Sequence, residues 1–404
     1  MPVLSVLFLL AVLFSGCRVK NGTEPLPDPH PAEAGRHANN AAKAEAARIA
    51  AALDDRQLAA QVIISGIDGR GRLTGDMRLL LSECPAGGIM LFRYNLNTGD
   101  DEIRSLIAES SALIAEDTQN IGKILPFAAA DHEGGSVNRF RQGIAILPPA
   151  AFYWEAAQEK GRETAVAQIG ADSYAAGKAI AALGINLNFA PVAEYLNEHN
   201  IDFLDDRSYG PEPDFVSKAA AACISGMERA GILCAAKHFP GSAGADPHHF
   251  PSVLLGDRAA LAELVSPFAA LIQDGRARAI MVSHSSVPAL DSKIASLSPQ
   301  IMDVWLRQEL GFDGLIISDD FSMASAGSPA AAGGTSAAGA ETLAVQSLAA
   351  GADMVLVWPP DLRRTHRAIL AALEDGTLSR ERLQEAAGRI IFEKLRMGLV
   401  VQDD

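Results

Sequence analysis

Short apolar runs that end abruptly in polar residues recur along this chain. Gly314-Leu315-Ile316-Ile317 leads into Ser318, Asp319 and Asp320; Phe127-Ala128-Ala129-Ala130 leads into Asp131. Leu233-Cys234-Ala235-Ala236 runs into Lys237 and His238, and Ala279-Ile280-Met281-Val282 into Ser283 and His284. The runs do not alternate with polar residues, so they predict strands buried on both faces. Strands are expected over 61–65, 88–92, 126–130, 185–190, 233–236, 279–283, 315–318 and 353–357. Stretches 101–116, 162–183, 214–230, 258–274, 299–310 and 339–350 separate them with helical signals. Eight β/α units predict an α/β fold, a single (β/α)8 TIM barrel, regular or not, with a helical C-terminal tail from Asp361. An open doubly wound sheet is the runner-up. It needs a phosphate-cradling glycine loop after the first strand, and Ser65-Gly66-Ile67-Asp68-Gly69 is a poor one.

A barrel keeps its chemistry at the carboxyl ends of its strands. One Asp or His there is a weak signal. Asp131, Lys237, His238, His284 and Asp319 all fall at such ends, which points to one polar pocket. After Lys237-His238-Phe239-Pro240-Gly241 comes Asp246-Pro247-His248, an imidazole with a carboxylate two residues before it. A carboxylate of this kind sets an imidazole's tautomer and proton affinity.

Composition narrows the classes. The 404 residues are 49% hydrophobic, enough for a full core, and the formal net charge of −15 argues against a nucleic-acid partner. Cys17, Cys84, Cys223 and Cys234 show no CxxC spacing, so neither a metal knuckle nor a redox motif is indicated; the last three sit among apolar neighbours. Residues 3–14 are nearly all apolar, too short to span a bilayer but suited to a signal-peptide core, and Ser15-Gly16 precede Cys17. This resembles a bacterial lipoprotein cleavage site with Cys17 as the lipidated residue, although no Lys or Arg precedes the apolar core. The expected organisation is a signal peptide over 1–17, a tether over 18–45 and a barrel domain over 46–404. The product is an exported, membrane-anchored lipoprotein, with a monomer as the expected state. A low-complexity stretch, 326–336, follows the Asp319 strand and suits a lid or a plain surface loop.

The motifs resemble glycoside hydrolase family 3, in its β-N-acetylhexosaminidase branch, over residues 55–400. Asp131-His132-Glu133-Gly134-Gly135 with Arg139 is similar to the family's Asp-x-Glu-Gly-Gly…Arg segment. Asn188-Phe189-Ala190-Pro191-Val192, Arg207-Ser208-Tyr209-Gly210 and Lys237-His238-Phe239-Pro240-Gly241 resemble three further family segments, in family order. Ser318-Asp319-Asp320-Phe321-Ser322-Met323 resembles its nucleophile segment. The resemblance implies a retaining mechanism with Asp319 as nucleophile and His248, partnered by Asp246, as acid/base. Imidazole, with an unperturbed pKa of about 6.5, serves both steps near neutral pH. It further implies that Asp131, Arg139, Arg207, Lys237 and His238 hold sugar hydroxyls, with His284 at the barrel mouth. No cofactor or metal is implied. Three departures stand out. The loop between Gly241 and Asp246 is shorter than the family's Pro-Gly-His-Gly-Asp, His249 adjoins His248, and Glu194-Tyr195 replaces Asp-Val.

The implied activity is exo-β-N-acetylglucosaminidase, on peptidoglycan fragments or other β-linked N-acetylglucosaminides. A β-glucosidase or xylosidase of the same family is the second expectation. A non-catalytic, sugar-binding surface lipoprotein is the third.

Overall fold

The computed structural model describes residues 31–140, 145–244, 250–323 and 339–401. Cys17, Asp246, His248, His249 and the 326–336 stretch lie outside the described residues. A helix, Pro31–Ala52, begins inside the segment expected to be a tether. Its alanines have the best helix propensity and Pro31 suits a first helical position, so no apolar stripe was needed to form it.

Residues 41–404 form a compact unit. Its barrel strands are β1 (Ile63–Gly66), β2 (Gly88–Met90), β3 (Phe127–Ala130), β4 (Leu187–Asn188), β5 (Leu233–Phe239), β6 (Ala279–Val282), β7 (Leu315–Asp320) and β8 (Met354–Val357). Around the barrel the order is β1-β8-β7-β6-β5-β4-β3-β2, all parallel and closed by β1 on β8 with Ile63 opposite Val355. Closure removes the open-sheet alternative. All eight expected strands form. Leu315, Ile316 and Ile317 are fully buried, as are Ala128, Ala129, Ala235, Ala236, Ile280 and Val282, to within about one per cent. Each barrel strand has a helix layer outside and packed side chains inside, so apolar residues fill both faces.

Two helical expectations change in detail. The 258–274 stretch divides into Arg258–Leu264 and Ser266–Gln273. Pro267 lacks the N–H that would continue the first helix. The tail forms two helices, Pro359–Glu374 and Arg380–Arg396, and ends in a strand, Val400–Val401, antiparallel to Lys123–Ile124.

Ionic contacts at the amino-terminal end of the barrel fasten that tail. Asp353, fully buried just before β8, accepts from Arg307 at 2.5 Å and from Arg382 and Arg389 at 3.1 Å each. It also accepts the Ile316 N–H at 3.0 Å. Lys394 of the last helix is buried without such a partner among the described residues. Its Nζ donates to Gln61 Oε1 at 2.9 Å and lies 5.3 Å from the centre of the Phe127 ring. Burial pushes this ammonium's pKa down to about 7. The unfolded chain therefore binds one more proton than the folded chain between pH 7 and about 10.4. Stability should rise with pH across that window, by at most about 1.4 kcal/mol per unit, and the full penalty is present below it. Lys394→Met should remove this rise and gain most below pH 7. Urea unfolding of both proteins from pH 6 to 10 measures the difference, and parallel profiles would contradict it.

Candidate active site

The carboxyl ends of the barrel strands surround a cavity of about 600 Å³. Asp131, Arg139, Arg207, Lys237, His238, His284 and Asp319 all line it, so the structure brings together every described residue of the sequence-based set. Glu133, Phe92 and Trp358 join them.

Asp319 stands near the end of β7, where Ser318 is still fully buried. Its Oδ1 accepts the Asp320 N–H at 2.8 Å. Burial works to raise its pKa, but the His238 and His284 imidazoles, the Asp320 N–H and Lys237 together hold it below the ordinary carboxylate value. The chemical consequence is a carboxylate that favours its ionised form in a largely enclosed site. Asp320 takes a different part. Its Oδ1 accepts the Ser322 N–H at 2.8 Å, and its Oδ2 accepts the Ser322 hydroxyl at 2.8 Å and Trp358 Nε1–H at 2.5 Å. It ties the strand end to the following turn and to the segment after β8.

His284 supports the same strand end. Its Nε2 lies 3.0 Å from the Asp320 carbonyl oxygen and its Nδ1 2.7 Å from Ser296 Oγ. Only a protonated Nε2 can donate to a carbonyl, which assigns the Nε2–H tautomer with Nδ1 accepting from Ser296 when the ring is neutral. Burial lowers its pKa, which favours that neutral form.

Opposite β7, an ion network builds the far wall. Lys237 Nζ reaches Asp131 Oδ1 at 2.8 Å and Glu133 Oε1 at 2.7 Å. Arg207 grips Glu133 with two parallel bonds, Nε to Oε2 at 2.7 Å and Nη2 to Oε1 at 2.9 Å. Burial alone would raise the Glu133 pKa, but Lys237 and Arg207 hold it well below the usual range. Burial likewise opposes the Lys237 charge, and Asp131 and Glu133 outweigh it. Asn188 at the end of β4 fixes this segment from behind, its side chain exchanging two 2.9 Å bonds with the His132 backbone.

Glu133 was not singled out from the sequence as a site residue, although its i, i+2 spacing from Asp131 on an extended segment was the available signal. Arg207 reaches the cavity with its fork already engaged by Glu133. Glu194, noted only as a departure, sits behind the cavity. Its Oε1 lies 2.7 Å from His238 Nδ1 and accepts the His238 N–H and the Ser242 hydroxyl, both at 3.2 Å. This leaves His238 Nε2 as the ring nitrogen available to the cavity.

The profile of "Glycosyl hydrolase family 3 N terminal domain" matches residues 56–392. A β-hexosaminidase of Methylococcus capsulatus is 36% identical over 313 residues, covering 76% of this chain and 85% of that protein. A β-hexosaminidase of Neisseria meningitidis is 34% identical over 301 residues, covering 72% and 76%. Among solved structures, a family 3 β-N-acetylglucosaminidase from Paenibacillus superposes with a TM-score of 0.76 at 30% identity. That match covers 86% of this chain but 63% of the other, so this chain spans less than two thirds of that protein. NagZ from Neisseria gonorrhoeae, solved with N-trifluoroacetyl-D-glucosamine, gives 0.66 at 30% identity, covering 82% and 89%.

Because Glu133 partners two buried cations, Glu133→Ala should lower stability by about 3–5 kcal/mol, the range for breaking a buried ion pair from one side. Denaturant unfolding checks this; a shift under about 1 kcal/mol would mean that Asp131 alone satisfies Lys237.

Proposed function

The chain belongs to glycosyl hydrolase family 3, and from that premise we propose that it is a retaining, exo-acting β-N-acetylglucosaminidase, with peptidoglycan fragments as substrate. The enzyme class itself, a glycoside hydrolase, follows from the family and its β-hexosaminidase relatives. The observation that carries the finer proposal is Asp319, ionised at the strand end and facing a cavity rimmed by hydroxyl-binding groups. The ligand bound by the Neisseria gonorrhoeae relative supports N-acetylglucosamine as the sugar.

In this mechanism Asp131, Arg139, Lys237 and His238 hold the terminal sugar by its hydroxyls, and Arg207 acts through Glu133. Asp319 attacks the anomeric carbon. His248, oriented by Asp246, protonates the departing oxygen, and a glycosyl ester forms on Asp319. The same imidazole then deprotonates the water that releases the sugar. Ser242, four residues before Asp246 in the sequence, lines the cavity.

Turnover of 4-nitrophenyl N-acetyl-β-glucosaminide, beside the glucoside and xyloside, tests the activity. Asp319→Asn should bind substrate yet lose several powers of ten in kcat. A slow fluorinated glycoside should label a peptide at Asp319; labelling at Asp320 would overturn the assignment. His248→Ala should damage disaccharide hydrolysis by roughly 10²–10⁴-fold but affect the nitrophenyl substrate far less, because a good leaving group needs little protonation. Equal slowing of both would move the acid elsewhere, with His249 next to be tested.

We further propose that Cys17 is lipidated and anchors the exported enzyme to a membrane. The apolar core over 3–14 and Ser15-Gly16 support this. Mass spectrometry of the mature amino terminus should find acyl chains on Cys17. An unmodified terminus elsewhere would sink the idea.

A further inference from the structure

The barrel rim carries a second depression, of about 390 Å³, that the mechanism leaves unused. It adjoins the catalytic cavity and shares Phe92 and Arg139 with it. Arg70, Arg93 and Arg139 line it, and no carboxylate is among its described lining residues. Arg70 Nε donates to the Tyr94 carbonyl and Arg93 Nη2 to the Asn138 carbonyl, each at 3.0 Å. Both guanidiniums are thus braced by backbone dipoles, and neither has an ion-pair partner within 4 Å among the described residues. Arg139 is also underused. Its Nε is buried with no hydrogen-bond partner among the described residues, and its Nη2 stands 3.6 Å from Asp131 Oδ2. The carboxylates that act on these residues, Asp68 on Tyr94, Glu102 on Arg70 and Asp131 on Arg139, are not among the lining residues.

An aromatic shelf joins the two spaces. The Phe92 and Trp358 rings stack at 4.3 Å and 10°, and Phe92 and Tyr94 follow at 6.1 Å and 14°. Phe92 and Trp358 line the cavity, whereas Phe92 and Tyr94 line the depression. The Tyr94 hydroxyl donates to the Ile67 carbonyl at 2.8 Å, which fixes the outer ring. The stacked rings cover much of one another's faces and form a continuous apolar wall between the two spaces.

Barrel order decides which end of the sugar meets it. β3 and β7 are diametrically opposed. With the anomeric carbon at Asp319 on β7, the ring edge bearing C4 and C6 faces the end of β3, where Asp131 and Arg139 stand. We propose that the arginine depression is a subsite for a sulfate or phosphate ester on C6 of the terminal sugar. Guanidinium forks match such oxyanions in shape and charge. This inference rests on the glycosidase assignment of the main cavity.

Rates on 4-nitrophenyl N-acetyl-β-glucosaminide, its 6-sulfate and its 6-phosphate test it, in wild type and in Arg70→Gln/Arg93→Gln. Wild type should cleave at least one ester at low salt with kcat/KM no lower than for the parent. The double variant should lose about ten- to a hundred-fold on that ester, the scale of hydrogen bonds to charged groups, and less than about two-fold on the parent. Arg70→Lys/Arg93→Lys should recover part of the loss, and added salt should erode the ester preference. The preferred ester identifies the anion. Equal losses on all substrates, or cleavage of the parent with neither ester accepted, overturns the subsite. If nothing is cleaved, the glycosidase assignment has failed, and calorimetry with N-acetylglucosamine and its 6-sulfate decides the subsite alone. Ester-selective binding lost in the double variant supports it; equal affinities overturn it.

Discussion

Lys237 holds two carboxylates from a single extended segment, and the cavity takes its shape from that grip. Asp131 and Glu133 are two residues apart after β3, so both side chains fall on one face and both reach the same ammonium, at 2.8 and 2.7 Å. Arg207 closes the array from the β4 side through its two bonds to Glu133. Removing Glu133 would leave Arg207 without its carboxylate and Lys237 with Asp131 alone, so the cost of breaking the network falls on both cations. Lys237 is also among the groups that hold the Asp319 pKa below its ordinary value.

The two ends of the barrel use buried charge for different purposes. At the amino-terminal end Asp353 is saturated by three arginines and a backbone N–H. It fastens the last helix to β8. At the carboxyl end the charged groups are satisfied on one side and face a cavity on the other. His284 shows the pattern well, since its ring holds the Asp320 carbonyl with one nitrogen and Ser296 with the other while still lining the cavity. Glu194 acts from further back, by engaging Nδ1 of His238.

The barrel was legible because a strand buried on both faces must be apolar throughout, and a parallel strand that ends at a polar mouth must change character abruptly. Those two requirements marked all eight strands. The residue types of the site were legible for the same reason. Their partnerships were not, because each joins segments far apart in the chain. Nothing near Lys237 announces that it bridges Asp131 and Glu133, and nothing near Glu194 announces His238. The Arg207 fork could be assigned to hydroxyls from the motif, yet its geometry shows Glu133 taking two of its donors. The Pro31–Ala52 helix escaped a search for apolar periodicity because propensity, not an amphipathic pattern, marks its alanine-rich start.

Asp319 and Asp320 pose the sharpest question at the site, since adjacent carboxylates on one strand end carry the same chemistry and repel each other. Burial raises the pKa of each, so the local groups decide which keeps its charge. Asp319 is surrounded by potential cations, the His238 and His284 rings and Lys237, and its pKa falls. Asp320 accepts three neutral hydrogen bonds, but burial and the Asp319 charge outweigh them and its pKa rises. Of the pair, Asp319 is therefore the more readily ionised, while hydrogen bonds from Ser322 and Trp358 fix the Asp320 side chain. Both side chains line the cavity, but only Asp320 is tied to the turn and to Trp358, and the division of roles proposed for them follows from that difference.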